Sequence, residues 1–525
     1  MSRQVSVGEV RSRLNERSEI ALLDVREEGA FAQAHPLFAA SLPLGRLELE
    51  AWDRLPRRSV PIVLYDDGEG IAPLAADKLA SLGYSDLALL RGGLAAWRQS
   101  GAELFRDVNV PSKAFGELVE TRRHTPSIAA EELQAKLQAG EDVVVLDARS
   151  FEEYRTMSIP TAISVPGGEL VLRVREIAPD PRTLVVVNCA GRTRSIIGAQ
   201  SLVNAAVPNR VAALRNGTIG WTLAGFALDR GESRRFGEVG TETAQQAAAA
   251  ARELAGRAGA RSIDRATLEQ WERDGQRTLY RFDVRTPEEY SAGHLSGFRS
   301  APGGQLVQET DVFAPVRGAR IVVVDEGGAR APMTASWLAQ MGWDVAVLAG
   351  GVGRDSLLSG PWVSSRPPLP RFSSIEPSAL QRLIDTGRVT VIDLTSSPDY
   401  ARGHVPGAWF ALRSQLQNTL SALTPPHAVV LTSADGALAV YAATDFEALA
   451  GVRPWVLEGG TAAWTAAGLP LETGATRILA VGSDVYKRPY EGTDNPQSAM
   501  QAYLDWEYGL VAQLERDATH HFRVI

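Results

Sequence analysis

The 525 residues contain one cysteine, Cys189, placed between an apolar β-branched run and a helical pattern. The stretch reads Val185-Val186-Val187-Asn188, then Cys189-Ala190-Gly191-Arg192-Thr193-Arg194-Ser195, then Ile196-Ile197-Gly198-Ala199-Gln200. A thiol at that junction faces the backbone N–H groups of a helix N-terminus, where the macrodipole favours an anion. Arg192 and Arg194 follow closely, so the local field is expected to favour thiolate over thiol. A free cysteine titrating near ~8.5 is only about 3% thiolate at pH 7, whereas one shifted to ~6.5 is roughly three-quarters thiolate. The thiolate is the nucleophilic form, so the pattern points to covalent catalysis at sulfur. The alternative, an inert core thiol, fits poorly with two arginines and a glycine turn.

The elements that must hold this loop recur four times. Leu22-Leu23-Asp24-Val25-Arg26 returns as Val145-Leu146-Asp147-Ala148-Arg149, as Arg281-Phe282-Asp283-Val284-Arg285, and more loosely as Val391-Ile392-Asp393-Leu394-Thr395. Seven residues after each aspartate stands an aromatic, Phe31, Tyr154, Tyr290 or Tyr400, and eleven after it His35, Ser158, His294 or His404. A second apolar strand follows at 61–65, 184–188, 321–325 and 429–432. A helix comes next, then a strand ending in Arg91-Gly92-Gly93, Arg215-Asn216-Gly217, Ala349-Gly350-Gly351 or Glu458-Gly459-Gly460. Trp97, Trp221 and Trp464 each precede a glycine by four residues, while the third copy has Gly353-Arg354-Asp355 there. Repetition on this scale organises the whole chain. Short β-branched strands alternating with amphipathic helices predict parallel sheets covered by helices on both faces. Ligands in such sheets bind beyond the carboxyl ends of the strands, where the Cys189 loop falls. The repeated aspartates, aromatics and tryptophans read mainly as architecture. The histidine missing from the one copy with a nucleophile, at Ser158, is therefore read as structural rather than as a general base.

Composition narrows the function classes. An apolar fraction of 45%, a charged fraction of 22% and a net charge of −8 describe an ordinary globular protein. They give no support to nucleic-acid binding or to a basic membrane surface. One cysteine forms no internal disulfide, the opening residues lack an apolar signal core, and no run is long enough to span a bilayer. A cytoplasmic location is the expectation. The seven histidines, His427 among them, are scattered without ligand spacing, so neither a metal nor another cofactor is expected.

These motifs, in this order, resemble the rhodanese (thiosulfate sulfurtransferase) family, in a four-domain form. The resemblance implies an α/β fold class of four tandem domains, each a central parallel sheet flanked by helices. They are expected at 1–103, 126–230, 261–360 and 374–472, with an alanine-rich helical linker at 231–260 and a helical tail at 473–525. Aligning the strands places Asp66, Glu326 and Ser433 at the cysteine position of the first, third and fourth copies. Those copies are expected to be inactive, since a carboxylate accepts no sulfane sulfur and an unassisted serine is a weak nucleophile. The resemblance implies that Cys189 attacks the outer sulfur of thiosulfate or a similar donor and becomes a persulfide. Ala190, Gly191, Arg192, Thr193, Arg194 and Ser195 would cup it, and cyanide or a thiol would accept the sulfur. Arg149 is either a donor contact or a structural partner of Asp147. The tail, with Met500, Tyr503, Leu504, Val511 and Leu514 on one side, is expected to dock on another domain or on a second copy, giving a possible homo-oligomer. Two rival readings are a persulfide carrier or scaffold without turnover and a phosphatase of the same fold. The four residues between Cys189 and Arg194, one fewer than the phosphatase loop, argue against the second.

Overall fold

Each β-branched run forms the buried middle of a parallel sheet, because a strand covered on both faces needs apolar side chains on both. The computed structural model describes residues 3–353, 357–423, 428–480, 484–492 and 494–525. It contains four five-stranded sheets, all with parallel pairings, and in each the strands lie in the order first, fifth, fourth, second, third. In the second sheet Leu184–Asn188 runs between Val143–Asp147 and Val211–Leu214. Residues 185–188 are fully buried. The strand delivers its last residue to the carboxyl edge, and the helix Thr193–Asn204 starts four residues after Cys189.

The Asp-x-Arg repeat is a buried clamp. Arg149 donates to Asp147 at 2.9 and 2.7 Å and to the Met157 carbonyl at 2.6 Å. Arg26 does the same with Asp24 and the Ala34 carbonyl, and Arg285 with Asp283 and the Gly293 carbonyl. The fourth copy carries Thr395 instead. There Asp393 Oδ2 is buried without a partner among the described residues, and burial pushes the carboxyl up to about 6. The histidines are structural too: His35, His294 and His404 stack at 3.7–3.9 Å on Phe31, Tyr290 and Tyr400. Trp97, Trp221 and Trp464 are buried, and each donates its indole N–H to a carbonyl six residues on. Arg354, Asp355 and His427 lie outside the described residues.

The units pack against one another through side chains and close backbone contacts. Gly168 and Gly304, from the second and third units, approach so closely that a Cβ on either would stand 3.0 Å from the other's backbone nitrogen. The alanine-rich stretch is the helix Thr241–Ala258, whose Ala247, Ala251 and Leu254 join the apolar core of the second unit together with Ala329 and Met333 of the third. A further helix, Val110–Arg123, links the first two units and is buried along its first ten residues. Thr193 packs against its Gly116, where an added Cβ would meet the threonine Cγ2 at 3.0 Å. The tail forms two helices, Gln497–Tyr508 and Leu510–Asp517, and it docks within the chain. Leu510, Leu514 and Phe522 join the shared core of the first and third units, while Tyr503 and Leu504 pack with Ala190 and Ile219 of the second. Of the two expected docking places, the tail thus uses other units of the same chain. No helix among the described residues is long and apolar enough to cross a membrane.

Candidate active site

The four loops are superimposable by their hydrogen bonds. The glycine that follows each fifth strand has positive φ, at Gly93, Gly217, Gly351 and Gly460. A Cβ there would stand 2.4, 2.3, 2.6 and 2.0 Å from the carbonyl oxygens of Asp66, Cys189, Asp325 and Ser433 respectively. The next residue's N–H donates to the same oxygen in every case: Leu94 to Asp66, Thr218 to Cys189, Val352 to Asp325 and Thr461 to Ser433. Only glycine fits, because the turn needs both a left-handed backbone and an open approach. These contacts correct the expectation for the third copy. Its strand, Arg320–Val324, ends one residue earlier than the hydrophobic pattern suggests, so Asp325 and not Glu326 holds the cysteine position. Glu326 points outward, 3.4 Å from Arg285.

Three of the loops are filled by their own side chain. Asp66 accepts from the N–H groups of Gly68 at 3.1 Å and Ala72 at 2.9 Å. Asp325 accepts from those of Gly328 and Ala331, both at 2.9 Å. The Ser433 hydroxyl accepts from the Ala439 N–H at 3.2 Å. In the second loop Cys189 Sγ lies 3.5 Å from the Ser195 hydroxyl and also meets the Ser195 N–H, again six positions on. The N–H groups of residues 190–194 donate to no acceptor among the described residues. Successive free amides in a loop form an anion nest.

The arginines are placed differently from the sequence expectation. Arg192 turns away to Glu117, at 2.7 and 2.8 Å, and also pairs with Glu120. Its remaining nitrogen donates to the Tyr508 hydroxyl at 2.9 Å, and its guanidinium lies 4.1 Å over that ring. Arg194 is held by Glu153 at 2.8 and 2.7 Å, and Glu153 is itself fixed by the Ser150 capping box at the start of Phe151–Thr156. Arg149 uses Nε and Nη2 for its clamp on Asp147 and the Met157 carbonyl, the structural contacts of its two readings. Ser195 is buried and donates to the Arg192 carbonyl at 2.8 Å, which pins the loop. Ala190 lies under the tail, and Thr193 sits against Gly116.

Burial reverses the expected titration of the thiol. Cys189 is 1% exposed, and desolvation pushes its thiol above the ordinary cysteine range. Arg194 and the two Ser195 bonds pull the other way without overcoming it, and Glu507 adds to the rise. The sequence foresaw a thiolate because the helix terminus and the arginines are legible there. It missed the groups that close the site from elsewhere: Glu117 and Lys113 on Val110–Arg123, and Tyr490, Tyr503 and Glu507 from the tail. Lys113 is buried with its ammonium 2.5 Å from Asp107 and 5.2–5.7 Å from the rings of Tyr490, Tyr503 and Trp506. One sign was available. Glu507 falls three residues after Leu504 and four after Tyr503, on the buried side of its helix.

One α/β unit with an open cysteine loop, beside three whose loops are closed by their own residues, defines a tandem cysteine-loop protein with a single nucleophile. Residues 6–100, 129–224, 265–354 and 376–467 match the Rhodanese-like domain family, and the chain belongs to it. It is similar over its full length to a crystal structure of a thiosulfate sulfurtransferase from Pseudomonas aeruginosa, with 60% identity, complete coverage of both chains and a TM-score of 0.98. Curated relatives match single units. An uncharacterized protein of Synechocystis sp. is 33% identical over 98 residues, and an HTH-type transcriptional regulator of Mycobacterium tuberculosis is 32% identical over 105. These stretches cover 19% and 20% of this chain, and the chain spans about half the length of each relative, 54% and 45%.

Proposed function

We propose that the chain is a sulfurtransferase that moves sulfane sulfur from thiosulfate, or a similar small anionic donor, through a persulfide on Cys189 to cyanide or a thiol. The observation that carries this reading is the contrast among the loops. Where Asp66 and Asp325 place a tethered carboxylate on the loop amides, the second loop leaves residues 190–194 free around a nucleophile. Full-length similarity to a thiosulfate sulfurtransferase points the same way.

On this reading the reaction is a double displacement at Cys189. The Cys189 thiol ionises, its proton passing to solvent water, and the thiolate sulfur attacks the outer sulfur of the donor. The S–S bond of thiosulfate breaks with its electron pair leaving on sulfite, and a Cys189 persulfide anion forms in the nest. Cyanide then attacks the outer sulfur, thiocyanate leaves, and the bonding pair returns to Cys189 as thiolate. Such double displacement is ping-pong. Burial holds the resting thiol neutral, and a neutral group does not repel a dianionic donor. Cys189 is buried, and Tyr503 and Leu504 pack on the adjoining Ala190, so on this reading the donor enters as the tail gives way. A single thiol that must stay reduced fits a cytoplasmic setting.

Intact-protein mass spectrometry tests the reading. Wild type treated with thiosulfate should gain the mass of one sulfur atom and lose it to cyanide as thiocyanate appears. Cys189→Ala should gain nothing. A wild type that takes sulfur from no small donor and matches the variant throughout would refute it in favour of a scaffold. Loading discharged only by a partner protein would make the chain a carrier.

A further inference from the structure

The helix Gln497–Tyr508 lays Tyr503 and Glu507, one turn apart, onto the Cys189 loop. Glu507 is fully buried, yet only one of its oxygens is engaged. Oε1 accepts from the Tyr503 hydroxyl at 2.9 Å and faces the Thr193 hydroxyl at 3.5 Å. Oε2 has no partner among the described residues and lies 3.2 Å from the point a Cβ on Gly191 would occupy. Leaving a buried polar atom unpaired is costly, because it gives up its hydration for nothing. The unclaimed oxygen overhangs the loop whose amides are also unclaimed, so one occupant satisfies both. A carboxylic acid can donate to an anion held there, whereas a carboxylate can only accept.

We propose that Glu507, as the protonated acid, binds the anionic group of the sulfur donor above Gly191, so that the C-terminal helix supplies part of the active site. This inference rests on the sulfur-transfer reading. Its surroundings keep the proton in place. Burial, then the Glu117 carboxylate on the facing helix, push Glu507 up to about 8, against the pull of Lys113, the Tyr503 hydroxyl and Arg192. Both cations are already engaged, Lys113 with Asp107 and Arg192 with Glu117 and Glu120. Tyr490 and Asp107 face Tyr503, and Cys189 lies below with Arg194 beside it. At neutral pH the acid form therefore predominates. Above its midpoint it meets the donor with like charge.

Binding of thiosulfate to the unreactive full-length Cys189→Ser variant, measured by calorimetry from pH 6.5 to 9.5, tests this without requiring turnover. A group that binds only when protonated and titrates near 8 weakens binding roughly thirtyfold over that range. Adding Glu507→Gln, which keeps the shape and a donor, should make the dissociation constant nearly independent of pH. Adding Tyr503→Phe removes the bond that favours the carboxylate and should move the midpoint to higher pH. The same alkaline weakening with and without Glu507→Gln, an unmoved midpoint in Tyr503→Phe, or no thiosulfate binding at all would overturn the inference. The sulfur-transfer reading fails separately, if wild type binds thiosulfate yet never gains sulfur.

Discussion

The guanidinium of Arg149 and those of Arg26 and Arg285 share one set of contacts: the preceding aspartate and the carbonyl eight residues on. Two of these three arginines lie in units without a nucleophile, so the clamp is a feature of the fold. The fourth unit shows what the clamp offsets. Asp393 keeps its bond from the Thr395 N–H at 2.9 Å but has no arginine, and its carboxyl is pushed up to about 6. Unfolded, it would ionise near ~3.9, so between these values the folded chain holds the extra proton. Stability from this residue is therefore present below pH ~4 and lost as pH rises through about 6. Asp393→Asn is expected to stabilise the protein by on the order of 2–3 kcal/mol at pH 8 and to have little effect near pH 4. Denaturant unfolding of the two proteins at both pH values checks the sign.

Among the elements, the strand–loop–helix unit depends on the left-handed glycine that closes it. Gly217 has φ +54°, and a Cβ there would meet the Cys189 carbonyl oxygen at 2.3 Å. Gly217→Ala should cost about 1–2 kcal/mol in backbone strain alone and displace the cysteine from its nest. Sulfur loading, read by mass, is expected to fall at least tenfold. Gly351→Ala creates a similar conflict with the Asp325 carbonyl at 2.6 Å, in a unit whose loop is filled by its own carboxylate. It should lower the melting temperature comparably while leaving sulfur loading intact. Equal loss of loading in both would mean that the variants act through global unfolding.

At the scale of the molecule, the tail turns a surface loop into a buried site. Leu504 is 1% exposed and packs with Ala190, Ile219 and Tyr503. Leu504→Ala removes part of that docking, at about 2–5 kcal/mol for a buried leucine. Opening of the segment becomes more frequent by the same free energy. Alkylation of Cys189, the sole thiol, should accelerate on the order of tenfold or more, followed by mass spectrometry at fixed pH. An unchanged rate would show that the thiol is reached by a path the tail does not guard.

The sequence alone determined the four α/β units, their parallel sheets and the one nucleophile. Those features are local: a β-branched run, a turn glycine and a cysteine beside a helix start are written in neighbouring residues. The architectural part played by the aspartates and aromatics was legible for the same reason, since it repeats at fixed spacing. The state of the site was not. Arg192 and Arg194 promised a field for the thiolate, but Glu117, Glu120 and Glu153 engage them, and the first two come from a helix more than seventy residues away. Burial of Cys189 and the arrival of Glu507 depend on a segment over three hundred residues downstream. Desolvation and long-range pairing depend on which surfaces meet, and only the tertiary structure decides that.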